Sequence, residues 1–224
     1  MLRTLTIFSI LLSLVAVGWA QEGKVLLKTE MPEEVLVGTP PDVLVLLFPG
    51  LEAPPTEDDL PQLMVPAGTT NLALNKKVTG SDSRPLIGEL SYVADGVKAG
   101  TEESYVELGP MLQWVQIDLE KPATISAVYV WHFFREARSY HDVIVQVSDD
   151  PEFKTGVTTV FSNDQDNSAK MGIGKDRAYI ETNFGKLIDA KGAQGRYVRL
   201  YSNGNTANDL NHYVELEVFG KYGS

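Results

Sequence analysis

The stretch WVQIDLEKPATISAVYVWHFF, residues 114–134, constrains the fold more than any other part of this chain. Its first six residues alternate between apolar and polar, which is the period-two pattern of a strand with one buried face. After a break at Lys121-Pro122 the stretch is apolar on both faces, and such a strand is covered on both sides. The pattern therefore predicts two neighbouring strands of a β-rich domain. The apolar positions are Val115, Ile117 and Leu119 in the first strand, then Ile125, Ala127, Tyr129, Trp131 and Phe133 on one face of the second and Val128, Val130 and Phe134 on the other.

The first 20 residues, MLRTLTIFSILLSLVAVGWA, have the layout of a secretory signal peptide. They contain one early positive charge at Arg3, an apolar run and small residues before Gln21. An N-terminal transmembrane anchor is the alternative, but the run from Leu5 to Val17 is short for a bilayer span. We expect cleavage near Ala20 and a secreted or periplasmic location.

Composition narrows the classes of partner. The chain has 224 residues, no cysteine and a formal net charge of -11. A domain of about 150 residues can fold without disulfides, and an exported chain without cysteine is typical of a bacterial secreted protein. The acidic balance argues against nucleic acid, whose affinity comes from phosphate neutralisation, and against insertion into anionic membranes.

Proline punctuates residues 21–69, which we interpret as an arm preceding the main domain. Its short apolar runs sustain neither a helical nor a strand period. One interpretation is a flexible linker. The apolar content favours an extended arm whose Val43–Phe48 segment packs on the domain or on a partner protein, and a short helix from Pro41 to Phe48 is a further alternative.

From residue 70 onward, short apolar runs alternate with Gly, Asn, Asp and Pro clusters. Many short strands with little helical periodicity predict an all-β fold, an antiparallel sandwich or barrel. The predicted strands are Leu72–Val78, Trp114–Leu119, Ser126–Phe134, Val143–Ser148, Thr158–Phe161, Ala178–Thr182, Arg196–Tyr201 and Tyr213–Phe219.

The order of five motifs resembles the coagulation factor V/VIII type C, or discoidin, domains, and in particular their bacterial secreted members. The motifs are NLALNKKVTGSD (71–82), ADG (94–96), WVQIDLEKPATISAVYV (114–130), GRYVRLYSNG (195–204) and HYVELEVFG (212–220). The likeness covers about residues 70–222. It implies a jelly-roll β-sandwich of the galactose-binding-like superfamily.

The resemblance also implies one structural calcium ion, held by the loop around the DG pair and by a glutamate of the last strand. Hard oxygen ligands suit Ca²⁺. Carried over by position, the side-chain ligands are Asp95 and Glu215, with Thr101 or Ser104, and the carbonyls come from Tyr92, Val97 and Val214. The alternative is that Asp95 caps a turn and Glu215 is solvated.

A second acidic run, NDQDNS from Asn163 to Ser168, superficially suggests another calcium loop. Counting from Asp164, an EF-hand needs glycine at the sixth position and glutamate at the twelfth, where this chain has Ala169 and Lys175. The run is therefore interpreted as a polar surface loop.

Lectin-like members of the resembled superfamily bind glycans through loops at one end of the sandwich, where aromatic faces stack on sugars and polar groups bind hydroxyls. The matching loops here are FFREARSYHD (133–142) and NGNTANDLNHY (203–213). The fucose-binding pattern, a histidine well upstream of two arginines, is missing, since His132 is only three residues before Arg135. His132 is expected to pack in the core with a satisfied ring nitrogen. The candidate ligand-binding residues are Arg135, Arg138, Tyr140, Asn205, Asn208, Asn211 and His212.

No catalytic signature is present. Three histidines, no cysteine and no G-x-S-x-G or H-E-x-x-H motif leave no nucleophile–base set to assemble, so we expect no enzymatic activity. Two functional hypotheses follow. The first is a secreted carbohydrate-binding module. The second is a structural or protein-interaction domain that binds a partner through the 21–69 arm.

Overall fold

The computed structural model describes residues 23–34, 37–48 and 50–223. The predicted signal peptide lies outside these residues. Within them, no helix is both long and apolar enough to cross a membrane.

The strands are β1 (Lys24–Leu26), β2 (Met64–Pro66), β3 (Thr70–Asn71), β4 (Lys77–Gly80), β5 (Val106–Leu108), β6 (Gln113–His132), β7 (Ile144–Ser148), β8 (Thr158–Ser162), β9 (Lys186–Ser202) and β10 (Asn211–Tyr222). The helical elements are α1 (Pro41–Leu47) and two 3₁₀ turns, Glu57–Asp59 and Leu90–Ala94.

The apolar stretch that opens the sequence analysis is one strand, and the predicted break at Lys121-Pro122 is wrong. Strand β6 runs through both residues, but its register shifts between Asp118 and Ala123. Before the shift β6 pairs with β4 and with the second half of β9; after it, β6 pairs with β10 and with the first half of β9. The two halves of β6 therefore lie in different layers of the fold.

All pairings among β3–β10 are antiparallel, and they form an eight-stranded network in the order β3-β10-β6-β9-β7-β8, with β4 on β6 and β5 on β10. The predicted antiparallel sandwich is confirmed. The main core lies between the layers and takes alternate residues from each long strand. Its members include Val115, Ile117, Leu119, Ile125, Val128, Val130, Val145, Val147, Val198, Leu200, Leu216 and Val218.

A second apolar cluster explains why the second half of β6 is apolar on both faces. A register shift between Ile125 and Ala127 sends Ile125 into the main core while Ala127, Tyr129 and Trp131 face away from it. The arm covers this outer face: Leu27, Met31 and Leu63 pack against the cluster. Trp131 is fully buried as a result, stacks on Tyr129 at 4.7 Å and donates its indole N–H to the Asn183 carbonyl.

Two predicted strands are wrong in detail. Of the segment predicted as Leu72–Val78, only Lys77 and Val78 belong to a strand, β4; the residues before them form a turn between β3 and β4, in which Asn75 has a φ of 58°. No strand forms at Ala178–Thr182, although Tyr179 and Ile180 are buried.

In the arm, β1 pairs with β2, and Pro41 begins helix α1 in the first-turn position that proline favours. The helical alternative for this segment is thus confirmed. The preferred prediction is an extended arm whose Val43–Phe48 segment packs on the domain or on a partner. Packing on the domain is wrong for Leu46, Leu47 and Phe48, which are 83%, 65% and 58% exposed, and packing on a partner stays a prediction.

Candidate functional site

The loop around the DG pair lies against the last strand. The Gly96 N–H donates to Glu215 Oε2 at 3.2 Å, and the Val97 N–H donates to Asp95 Oδ1 at 2.8 Å. Gly96 has a φ of +86°, a conformation that glycine adopts without strain, and this turn brings its N–H to strand β10. The loop and the strand predicted to share a metal are therefore neighbours.

The buried carboxylate of Glu215 has the surroundings of a group that could bind a cation. Its side chain is 1% exposed, and Oε1 has no hydrogen-bond partner. Burial, and to a lesser degree the negative charges of Glu217 and Asp95, raise the pKa of Glu215 to about 8, against the lowering effect of the Gly96 N–H. A hard divalent cation beside Oε1 would supply the missing partner, and two carboxylates with nearby carbonyls are the donor set that Ca²⁺ prefers.

The remaining predicted metal ligands have mixed positions. Tyr92 belongs to the Leu90–Ala94 turn that enters the loop, and Val214 directly precedes Glu215 in β10. Thr101 is exposed and lies in a separate turn, in which the Ser104 hydroxyl accepts the Thr101 N–H at 2.9 Å and donates to the Thr101 carbonyl at 3.1 Å. The oxygens of this turn are thus already used locally.

The two predicted sugar loops meet. Tyr140 and Asn205 form an antiparallel bridge, the His141 N–H donates to the Gly204 carbonyl, and the Ser139 N–H donates to the Thr206 hydroxyl at 3.1 Å. Loops 133–142 and 203–213 thus form one continuous end of the sandwich.

Most of the predicted side chains at this end are buried and bonded to one another. Tyr140, which is 2% exposed, keeps its proton because burial raises its pKa well above the usual value. A carboxylate only accepts, so His212 Nε2 donates to Glu107 at 3.1 Å, and in the neutral ring Nδ1 accepts from the Tyr140 hydroxyl at 2.9 Å. Burial, then the charges of Arg138 and His132, lower the pKa of His212 to about 4. The neutral imidazole is the form that the fold holds.

Arg138 lies over this network. Its guanidinium is 4.7 Å from the centre of the Phe133 ring and 2.5 Å from the Glu136 carboxylate, while its Nε is buried without a partner. Below it, His132 Nδ1 bonds to Glu181 at 2.7 Å, which confirms the expected core histidine with one satisfied nitrogen.

The asparagines of the second loop are mainly structural. Asn211 is fully buried; its Oδ1 accepts from Ser202 Oγ and the Gly204 N–H, and its Nδ2 donates to two carbonyls of the 109–111 turn. Asn205 is buried and bonds to the Asn208 side chain and the Leu210 carbonyl. Asn208 is the exposed member of the set.

Arg135 points elsewhere. It lines an open groove of about 880 Å³ between the arm and the 95–99 loop. Met31, Leu74 and Phe219 give the groove apolar surface. Its polar lining residues are Lys28, Thr29, Glu30, Glu33, Asn71, Asp95, Lys98, Arg135 and Glu217.

Lys98, which the sequence analysis did not single out, connects the metal loop to the arm. Its ammonium is 2.8 Å from the Glu217 carboxylate, donates to Thr29 Oγ1 and the Glu30 carbonyl at 2.8 Å each, and lies 4.3 Å from the Trp131 ring centre. The side chain is 7% exposed. No sequence pattern signals this contact, because the arm residues are distant in the chain and lack a period.

The acidic run Asn163–Ser168 is only partly the surface loop predicted. Asp164 is fully buried and accepts from the Ser168 and Ala169 N–H groups, and ligand atoms of Asp142, Asp164 and Asp166 lie within 4.8 Å of one another. Burial raises the pKa of Asp164. The approach of Asp142, from a different loop, could not be predicted from spacing.

Comparison with solved structures of other proteins supports the fold described above. No family model matches the sequence, and no curated protein does. Among solved structures, a family 89 glycoside hydrolase from Clostridium perfringens, in complex with 2-acetamido-1,2-dideoxynojirmycin, matches 68% of this chain at 15% identity and a TM-score of 0.50, over 15% of its own length. The CBM32 of AlyQ, in complex with 4,5-unsaturated mannuronic acid, matches 64% of this chain and 93% of its own at 19% identity and a TM-score of 0.46. A chitosan-binding module from a Paenibacillus sp. IK-5 chitosanase/glucanase matches 69% and 99% at 23% identity and a TM-score of 0.43.

Like the matched part of the family 89 hydrolase, the chain has an antiparallel β-sandwich fold. The likeness to the hydrolase involves a small part of that enzyme, so it gives this fold and not the enzyme's activity. The sequence resemblance anticipated the DG turn against β10, whereas the sequence left open whether the two loops share one end of the sandwich. The arm covers one outer face of the sandwich.

Proposed function

We propose that this chain is a non-catalytic carbohydrate-binding module. The observation that supports the proposal most directly is the groove of about 880 Å³ between arm and sandwich, which Arg135 lines. Sugar recognition needs an apolar surface for C–H faces and planar polar groups that bind pairs of hydroxyls. The groove offers the exposed side chain of Leu74 for the first, and Arg135 and Asn71 for the second.

The loop end keeps a supporting role in this proposal. Arg138, Tyr140, Asn211 and His212 are buried and bonded internally, so they hold the shape of the sandwich end. Asn208 is exposed, and a ligand approaching from that end would meet it first.

Binding is tested with the full chain on a glycan array, followed by affinity electrophoresis with the best glycan. Arg135→Ala should weaken binding about tenfold, the value of one charge-assisted hydrogen-bond pair. Arg84→Ala, which removes an exposed arginine outside the groove lining, should bind as the wild type does. Binding that survives Arg135→Ala but is lost in Asn208→Ala would move the site to the loop end, and no binding to any glycan would overturn the proposal.

A structural calcium is part of the same proposal. Asp95 and Glu215 would supply its carboxylates, with the carbonyls of Tyr92, Val97 and Val214. The buried, unpartnered Glu215 Oε1 supports this assignment. The ion would neutralise the buried carboxylate and fix the DG loop against β10. Thr101 is the weakest member of the set because it is exposed and closes a turn of its own.

A second candidate function is protein binding through the arm, and it has its own observation. Leu46, Leu47 and Phe48 are exposed together at the end of α1, where a solvent-facing helix normally presents polar residues.

Export from the cell remains a prediction, and N-terminal sequencing of the exported chain should give Gln21 as its first residue.

A further inference from the structure

Helix α1 presents an apolar surface that no described part of the chain covers. None of its residues is buried, and Leu46, Leu47 and Phe48 are among the most exposed large apolar side chains in the described part of the chain. We call these three residues the apolar helix face. Contiguous exposed apolar surface of this kind marks interaction sites on soluble proteins.

A cavity of about 300 Å³ lies at the other end of the same helix, between the arm and the sandwich. Phe134 and Phe184 contribute aromatic rings to its wall, and Pro41, Pro54 and Pro55 line it from the arm. Among the described lining residues, the charged ones are Glu34, Asp42 and Glu57, and all three are acidic. Aromatic rings beside carboxylates favour a cation, because the ring quadrupole and the negative charges attract the same group.

The cavity and the apolar helix face belong to one surface. Asp42 lines the cavity, and Leu46 is four residues further along α1, so both side chains lie on the same side of the helix. The arm has an excess of negative charge, since residues 23–69 contain eight carboxylates and two lysines. Of these carboxylates, Glu52 is paired with Lys186 of the sandwich. The remaining excess would attract a cationic partner toward the arm.

We propose that this surface docks a basic segment of a partner protein. A lysine or arginine of that segment enters the cavity, and apolar residues beside it cover Leu46, Leu47 and Phe48. The inference deepens the second candidate function, protein binding through the arm, and rests on it. A cationic polysaccharide would satisfy the cavity but has no aliphatic side chains to cover the apolar helix face, so a peptide fits the whole surface better.

The test uses the full chain and a fluorescein-labelled dodecapeptide of alternating arginine and leucine, followed by fluorescence anisotropy at physiological salt. The matched probe replaces each arginine with citrulline, which keeps the shape and removes the charge. We expect the citrulline peptide to bind at least about tenfold more weakly, because several charge-assisted contacts are lost.

Two pairs of variants locate the site. Asp42→Asn with Glu57→Gln should weaken the arginine peptide about tenfold. Asp58→Asn with Asp59→Asn removes the same charge from exposed neighbours that do not line the cavity, and should change binding less than about twofold.

A second comparison tests the apolar contact. Leu46→Ser should weaken the peptide about fivefold. Ile173→Ser, at an exposed apolar residue of another loop, should leave binding unchanged.

Three outcomes would overturn the proposal. The first is an equal loss of peptide affinity in the two charge-removing pairs, which would indicate a diffuse electrostatic field. The others are no binding of the arginine peptide, or binding of a glucosamine oligomer that depends on Asp42 without any peptide binding. The variants change exposed side chains, and a thermal melt checks that each is folded. Arg135→Ala, which reports on glycan binding, should leave peptide binding intact, so failure of one proposal is distinguishable from failure of the other.

Discussion

The buried imidazole of His212 makes a sharp prediction about pH. The fold holds His212 neutral between the Tyr140 hydroxyl and the Glu107 carboxylate, with its pKa lowered to about 4 from the usual 6.5. The unfolded chain takes up a proton below pH 6.5, whereas the folded chain does so only near pH 4. Stability from this group is therefore fully present above pH 6.5 and is lost as the pH falls toward 4.

The magnitude follows from the two pKa values. At pH 4.5 the difference in proton binding lowers the free energy of unfolding by about 2 to 3 kcal/mol relative to pH 7.5. An ionised Glu107 attracts the same proton, so this figure is an upper limit. In His212→Gln the pH-dependent loss disappears, while about 1.5 kcal/mol is lost at every pH because the hydrogen bonds are imperfectly replaced.

The assay is urea unfolding of the wild type and His212→Gln at pH 7.5 and pH 4.5, followed by tryptophan fluorescence. The variant should be the less stable protein at pH 7.5, and the gap should close or reverse at pH 4.5. His141→Gln serves as the control, because His141 is exposed, and its gap from the wild type should be small at both pH values. A His212→Gln gap that is the same at both pH values would refute the reasoning.

Three further predictions concern the metal, a close packing contact and the arm. Calcium should raise the melting temperature of the EDTA-treated wild type and leave Glu215→Gln unchanged; an unaltered wild-type midpoint would count against the ion. Gly185→Ala should destabilise the protein by about 3 kcal/mol, since the new Cβ would lie 2.5 Å from the Trp131 ring. Gly192 also has a positive φ, but its new Cβ would have its nearest atom at 3.8 Å, so Gly192→Ala should cost clearly less. Equal urea midpoints for the two variants would show that the ring moves aside. Lys98→Met should cost about 3 kcal/mol in urea unfolding because it leaves a buried carboxylate without its cation; a loss under about 1 kcal/mol would mean that the contact is a solvated surface pair.

Much of the sandwich could be predicted because burial on one face of a strand imposes period two. The alternation in β6 and the apolar runs of β7 and β10 identified strands, and the five ordered motifs correctly anticipated the Gly96–Glu215 contact. The face switch at Ile125 and Ala127 could not be predicted, because a register shift of one residue leaves no mark on composition.

The arm was the least predictable part, and the reason is physical. Its prolines remove backbone donors and interrupt any period, so its structure depends on contacts with residues far along the chain. Lys98 is an example. A lysine in a polar loop is usually solvated, and Lys98 is buried because its ammonium contacts Thr29 and Glu30 of the arm. The positions of the candidate sugar residues were unpredictable for the same reason. Arg135 and Arg138 are three positions apart in the sequence, but the sequence does not show that Arg135 lines the groove while Arg138 lies over the His212 network.

Strands β6 and β9, of 20 and 17 residues, each pass from one layer to the other and remain paired along most of their length. The layers are thus joined by continuous backbone, so neither sheet can peel away while the other stays intact. Pulling on either terminus should therefore meet a single mechanical barrier, and deuterium should enter the amides of both halves of β6 at the same slow rate.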